Sequence, residues 1–228
     1  MQSASVTISN RPWYVESRWL SAAELALGAF IVIGHNVYHI VPNEVPILLV
    51  LGLLSFQVRN GSWKALGLNW PKSWRNTLLL AVAAAAIRII LGHFVVDPIT
   101  AHFWPPAIAP KGMEGHPDLK TALMYFGLVW TFAAFGEEIS YRGYLLTRAA
   151  DAGGRSTAAY WIAVIASAVL FGYGHYYKGP AGIVDSGMAG MVLGATYLLS
   201  GRNLWACILA HGFIDTFGIV CIYMGWAT

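Results

Sequence analysis

An all-α polytopic transmembrane bundle of about seven or eight membrane helices is the fold class this sequence predicts, and three observations predict it. Hydrophobic residues fill 57% of the 228 positions and charged residues only 11%, against about 25% charged in soluble domains. Seven apolar runs approach or reach the length of a membrane span. No internal repeat, low-complexity tract or soluble-type stretch interrupts them. Residues 1–228 therefore read as one integral-membrane domain whose first partner is the lipid bilayer. The net charge of +3 is small and scattered, which argues against nucleic acid as a partner.

The runs lie at about 19–40, 45–58, 76–96, 121–148, 157–175, 182–200 and 203–226. The polar stretch before the first lacks the pattern of a signal peptide, so that run reads as a retained span. The second is short, and is either re-entrant or extended by its flanks. The fourth is long and must tilt, kink or leave the membrane in part. The sixth carries Gly190 and Gly194 in a GxxxG spacing, which lets helices approach closely in lipid. Cys207 and Cys221 share the seventh run, fourteen positions apart. That is about 21 Å along a helix, so both read as free thiols.

Trp63–Leu68 and Trp70-Pro71-Lys72 join the second and third runs, with tryptophans beside lysines as at a headgroup region. Arg59, Lys64, Lys72 and Arg75 crowd this loop. Arg11 and Arg18 precede the first run, Arg148 and Arg155 follow the fourth, and Arg202 follows the sixth. The opposite loops hold Lys111, Lys120 and Lys178 together with Asp97, Glu114 and Asp118. The bias places the N-terminus in the cytoplasm of a cell (cytoplasmic) membrane protein.

Ionisable groups at membrane depth cost several kcal/mol, roughly 2.5–3.5 each at a helix centre, and normally face the bundle interior. Glu24, Arg88, Glu137, Glu138, Arg142, His175, His211 and Asp215 all fall there. In a helix Glu138 and Arg142 are i,i+4 neighbours and can pair. Glu137 is turned about 100° away, onto the face of Trp130, Ala133, Ala134 and Tyr141. It has no partner in its own helix, so the two carboxylates have different jobs. His211 and Asp215 are also i,i+4. A carboxylate and two imidazoles inside a bilayer form a general acid/base set. Straight helices put Glu137 and His211 roughly 12–17 Å deep but His175 about 27 Å. Convergence then needs a helix break at Gly172 or Gly174, or an earlier start of the fifth segment.

Three motifs thus occur in order: EExxxR (Glu137, Glu138, Arg142), FxxxH (Phe171, His175) and HxxxD (His211, Asp215). The pattern, in a motif core of about 121–226, resembles the CPBP (Abi) family of intramembrane proteases, which includes the type II CAAX prenyl endopeptidases and bacteriocin self-immunity proteins. The third motif often ends in Asn in CAAX-processing members; Asp215 stands there here. The resemblance implies an endopeptidase acting on membrane-associated peptides or proteins without a cofactor. Glu137 would activate a water, assisted by His175. His211 and Asp215 would polarise the scissile carbonyl, and Arg142 would hold Glu138. Arg88 is expected to pair with Glu24; alternatively it faces the cavity and binds a substrate carboxylate, with Tyr141 as another substrate contact. Rival readings are a non-catalytic immunity or scaffold protein of the same fold, a proton-coupled transporter, and a zinc protease using Glu, His and Asp ligands. HExxH is absent.

Overall fold

The computed structural model describes residues 12–108, 113–114 and 117–226. Arg11 and Lys111, two of the charges used above to orient the chain, lie outside them. Among the described residues the architecture is all-helical, with seven helices. They are α1 (Arg18–Asn36), α2 (Glu44–Asn60), α3 (Trp74–Phe103), α4 (Leu119–Ala152), α5 (Thr157–Tyr173), α6 (Gly179–Leu199) and α7 (Leu204–Tyr223). One-turn 3-10 helices at Trp63–Leu66 and Tyr176–Lys178 sit in two of the connections.

Six of these starts are written locally. Ser17, Asn43, Ser73, Asp118, Ser156 and Asn203 each accept a hydrogen bond from a backbone N–H in the first turn. This satisfies amides that a helix start leaves without partners. By length and composition α1, α3, α4, α7 and the stretch Tyr176–Leu199 can cross a membrane. Among the described residues, five of the seven helices are thus long and apolar enough to cross a membrane. α2 and α5, at 17 residues each, reach about 25 Å, short of a hydrocarbon core of about 30 Å.

The long fourth run neither breaks nor leaves the helix. It widens. From Val129 to Leu146 the backbone follows an i→i+5 (π) register between ordinary helix at either end, and a shorter wide turn occupies Gly92–Val96 in α3. Wide turns concentrate at functional sites in many proteins. This one contains the whole EExxxR motif. Its second half, Glu138 through Leu146, is buried throughout. It forms the centre of a core with Val32, Leu48, Phe56, Leu66, Phe171, Tyr197 and Cys207.

Small residues set the helix approaches. A Cβ on Gly190 of α6 would stand 2.8 Å from the Ala168 Cα of α5, and one on Gly194 2.8 Å from Val164. The GxxxG pair is thus the seam on which α6 lies against α5. Cys207 and Cys221 are both free.

Charges at one end of the bundle are tied into a network. Glu24 of α1 takes Arg59 of α2 at 3.0 Å and Arg148 of α4 at 2.9 Å. Arg148 also holds Asp151 at 2.9 Å and lies over the Phe56 ring, 4.0 Å from its centroid. Arg59 reaches back to the carbonyls of Tyr14 and Ser17. The expected Arg88–Glu24 pair is therefore absent: Arg88 binds Asp185 of α6. Glu24 lies near the start of α1, whereas Arg88 lies in the last turn of Trp74–Leu91 and faces α6.

The seam predicts a contrast between two helical glycines. Gly190→Ala should lose about 1–3 kcal/mol, because the methyl meets backbone that cannot yield. Gly218→Ala meets nothing within 4 Å and should be neutral or gain up to about 1 kcal/mol. Thermal unfolding in detergent reads both; equal melting points would contradict the seam.

Candidate active site

The site is built outward from one carboxylate. Glu138 has no exposed surface and sits where the wide segment of α4 crosses α7. Its Oε1 accepts from Arg142 Nη1 at 2.8 Å, as the i,i+4 spacing predicts, and from His211 Nδ1 at 2.7 Å. The other imidazole nitrogen of His211, Nε2, lies 3.4 Å from Asp215 Oδ2. Carboxylate oxygens only accept, so both ring nitrogens face groups that require a hydrogen. The arrangement suits an imidazolium held between two carboxylates. The chain Arg142–Glu138–His211–Asp215 has alternating charge throughout.

Phe171 joins this chain to the rest of the motif set. Its ring lies under the Arg142 guanidinium, 4.3 Å from centroid to Cζ. Tyr141 meets it edge-on at 5.0 Å, His175 lies at 4.8 Å and His211 at 6.0 Å. One aromatic side chain therefore sets the spacing of both histidines. Tyr141 is 1% exposed, and a Cβ on Gly174 would come within 2.6 Å of its hydroxyl. Tyr141 braces the end of α5.

α5 ends at Tyr173 with Gly174 as its cap, and His175 stands in the turn beyond with φ −112° and ψ 25°. The break falls at the second of the two glycines named from sequence. His175 Nδ1 is 2.9 Å from the Phe171 carbonyl. That carbonyl can only accept, so Nδ1 carries the hydrogen and Nε2 of the neutral ring keeps its lone pair. The depth discrepancy also has a cause. Leu204, where α7 starts, packs on Gly143 rather than beside the end of α4 at Ala152. α7 therefore begins inside the bundle, and His211 lies about 10 Å further along it, level with Glu138.

Glu137 stands apart from the chain. It is half-buried, and its Oε2 is buried without a hydrogen-bond partner. His211, Asp215 and Arg142 all lie within its electrostatic reach. Glu138 Oε2 and Arg142 Nε and Nη2 are also buried without partners. Four unpaired polar atoms thus gather at the EExxxR motif, in a protein where such groups are rare. No hydrogen bond joins Glu137 to His175 among the described residues. Seven residues before Glu137, Trp130 seals α4 onto α7: its Nε1 donates to Thr216 Oγ1 at 3.2 Å, and it sits so close to Gly212 that a Cβ there would be 2.5 Å away.

One acidic group escaped the sequence reading. Glu44 is 6% exposed at the start of α2 and pairs with His35 at 3.2 Å. The next residue, Val45, packs on Gly136, and its carbonyl faces Ser140 Oγ. Among the described residues no group of three or more His, Cys, Asp or Glu side chains is gathered to hold a metal ion. Two clefts of about 460 and 290 Å³ open at the loops that follow α2, α4 and α6, and none of the candidate catalytic residues lines them.

Fold and site together define a helical integral-membrane protein with a buried, paired acid–base cluster. Residues 119–217 match the family model described as type II CAAX prenyl endopeptidase Rce1-like. All three motifs lie inside the matched segment. The match supports the resemblance to intramembrane proteases read from them, and a CAAX-type intramembrane protease at the level of the family. Neither the curated proteins nor the solved structures include a match to this chain.

Glu138→Ala should lower both folded yield and melting temperature, with a loss of about 3–5 kcal/mol, because it strands Arg142 and His211. The double variant Glu138→Ala/Arg142→Ala should recover part of that loss. A double-mutant cycle on purified protein tests this; additive losses would deny the coupling.

Proposed function

We propose that the protein is an intramembrane endopeptidase that hydrolyses membrane-associated peptides or proteins with a water activated by Glu137. The observation that carries the reading is the division of labour between adjacent carboxylates. Glu138 is saturated with cationic partners on one oxygen and fully buried. Glu137 is half-buried and, among the described residues, makes no hydrogen bond. A base must be reachable by its water, and Glu137 is the reachable one.

In this reading Glu137 takes a proton from water as the oxygen attacks the scissile carbonyl. The carbonyl oxygen becomes an oxyanion, stabilised by the His211 imidazolium, which Glu138 orients from behind and Asp215 from its free edge. His175, through Nε2, accepts a hydrogen bond from the same water and aligns it. Glu137 then passes its proton to the departing amine as the C–N bond breaks. Low dielectric around the cluster strengthens each of these interactions. The guanidinium of Arg142 acts through Glu138, and Phe171 fixes the separation of the two histidines. Arg88 retains a buried Nε without a partner, so contact with a substrate carboxylate is one role left to it; Tyr141, enclosed as it is, contributes at most its hydroxyl. The Lys/Arg-rich loops gather at one end of the bundle, which we place in the cytoplasm with the N-terminus.

In proteoliposomes carrying a library of membrane-anchored peptides, Glu137→Gln should lower cleavage at least about 100-fold, the scale of a lost general base. Folded yield and melting temperature should not change. Wild-type cleavage by this variant would remove Glu137 from the base role, and an inert wild-type protein would favour the scaffold reading. Cleavage should also survive exhaustive chelation, since no ligand set is gathered among the described residues. Loss on chelation, restored by one equivalent of zinc, would make the enzyme a metalloprotease.

A further inference from the structure

Away from the acid–base cluster, the loop end of the bundle carries a cleft of about 290 Å³ lined by Asn60, Lys64, Asn69, Arg155, Tyr160 and Arg202, among others. Two of its cations stand on an unusual backbone. Arg155 has φ 59° and Arg202 φ 64°, and each follows a glycine that is also left-handed, Gly154 at 84° and Gly201 at 72°. A left-handed conformation is costly for a side chain as bulky as arginine and suits Gly or Asn better. Two Gly-Arg turns from different connections therefore adopt the same costly form and present their guanidinium groups to one cleft. The third cation, Lys64, comes from the 3-10 turn that docks on the second of these loops through Leu204 N to Gly67 O at 3.0 Å.

The charge at the cleft is only partly neutralised within the chain. Asp151 gives one oxygen to Arg148 and the other to Arg155 Nε at 2.6 Å. Glu16 also lies within electrostatic reach of Arg155. Arg202 uses one Nη on the Tyr160 hydroxyl and lies over that ring. Both arginines line the cleft together with the exposed Lys64. The second cleft adjoins across Asn69, Gly201 and Arg202 and adds Lys72. Exposed tryptophans flank the pair: Trp63, Trp70 and Trp74, with Trp70 stacked on Trp205 at 6.2 Å. Tryptophans at this density mark the membrane–water interface.

We propose that this cleft binds the phosphate of an anionic phospholipid headgroup, with Lys64, Arg155 and Arg202 as its ligands. The chemistry required is a phosphate group. The tryptophan rim favours a lipid as its source over phosphate from solution, because it holds the cleft at headgroup level. Each cation near an anionic membrane surface is worth about a five-fold gain in binding. Three should give a preference of well over tenfold for an anionic over a zwitterionic lipid.

The test uses the full chain in detergent micelles doped with phosphatidylglycerol or phosphatidylcholine, with retained lipid counted by native mass spectrometry. Wild-type protein should keep phosphatidylglycerol at least about tenfold better, and excess inorganic phosphate should not displace it. The triple variant Lys64→Gln/Arg155→Asn/Arg202→Asn removes the charges while its asparagines accept the left-handed backbone. It should lose the preference at an unchanged melting temperature. If it fails to fold, Lys64→Gln alone, at an exposed position, should weaken retention about five-fold. An unaltered lipid preference in whichever variant folds would overturn the proposal. Displacement by inorganic phosphate would overturn the membrane source.

Discussion

A carboxylate that cannot reach water must be paired, and much of this structure follows from how Glu138 is paired. Its single oxygen Oε1 holds a guanidinium from its own helix and an imidazole from a helix 73 positions further along the chain. Isolated in lipid, either cation or the anion would carry a large desolvation cost. Together they fix the rotation of α7 against α4 and so decide where Asp215 points. Glu137 is turned away from this arrangement, and among the described residues no hydrogen bond joins it to the cations that Glu138 holds.

The wide helical register and the small residues serve that geometry. The i→i+5 stretch from Val129 to Leu146 changes the angle between successive side chains, yet Glu138 and Arg142 still meet. The Cβ-free surfaces of Gly136, Gly143 and Gly212 admit Val45, Leu204 and Trp130 respectively. α2 and α7 can thus come against α4 at motif depth. Removing a side chain at these points costs helix propensity, about 1 kcal/mol per glycine, and gains close approach in a medium where dispersion and polar pairing drive association. Gly190 and Gly194 do the same for α5 and α6, which carries Phe171 to the centre of the cluster.

The same rule of paired charge operates a second time at the loop end, through Glu24, Arg59, Arg148 and Asp151. Arg148 is fully buried and meets two carboxylates, a serine and the face of Phe56. This second network closes α1, α2 and α4 into one frame. It leaves Arg155, Lys64 and Arg202 on the outer side with donors to spare. The two networks thus lie apart, one enclosed around the acid–base cluster and one at the loop end.

The sequence by itself determined what depends on neighbours along the chain. Composition and run length imply membrane helices, and i,i+4 spacing pairs Glu138 with Arg142 and His211 with Asp215; the six capped helix starts are also local, though only the structure displays them. It also sets Glu137 apart as the carboxylate without a local partner, and offers a break at Gly172 or Gly174, or an earlier start of the fifth segment, as the way His175 reaches the cluster. Tertiary structure alone decided the partners across helices. Arg88 met Asp185 and not Glu24, Glu138 gained His211, and Glu44 proved to be buried beside His35. These helices are apolar nearly all round, so periodicity leaves their rotation undefined. Nor does span length reveal that α7 starts inside the bundle on Gly143. Rotation and depth are set by packing between helices, which no local pattern in the chain encodes.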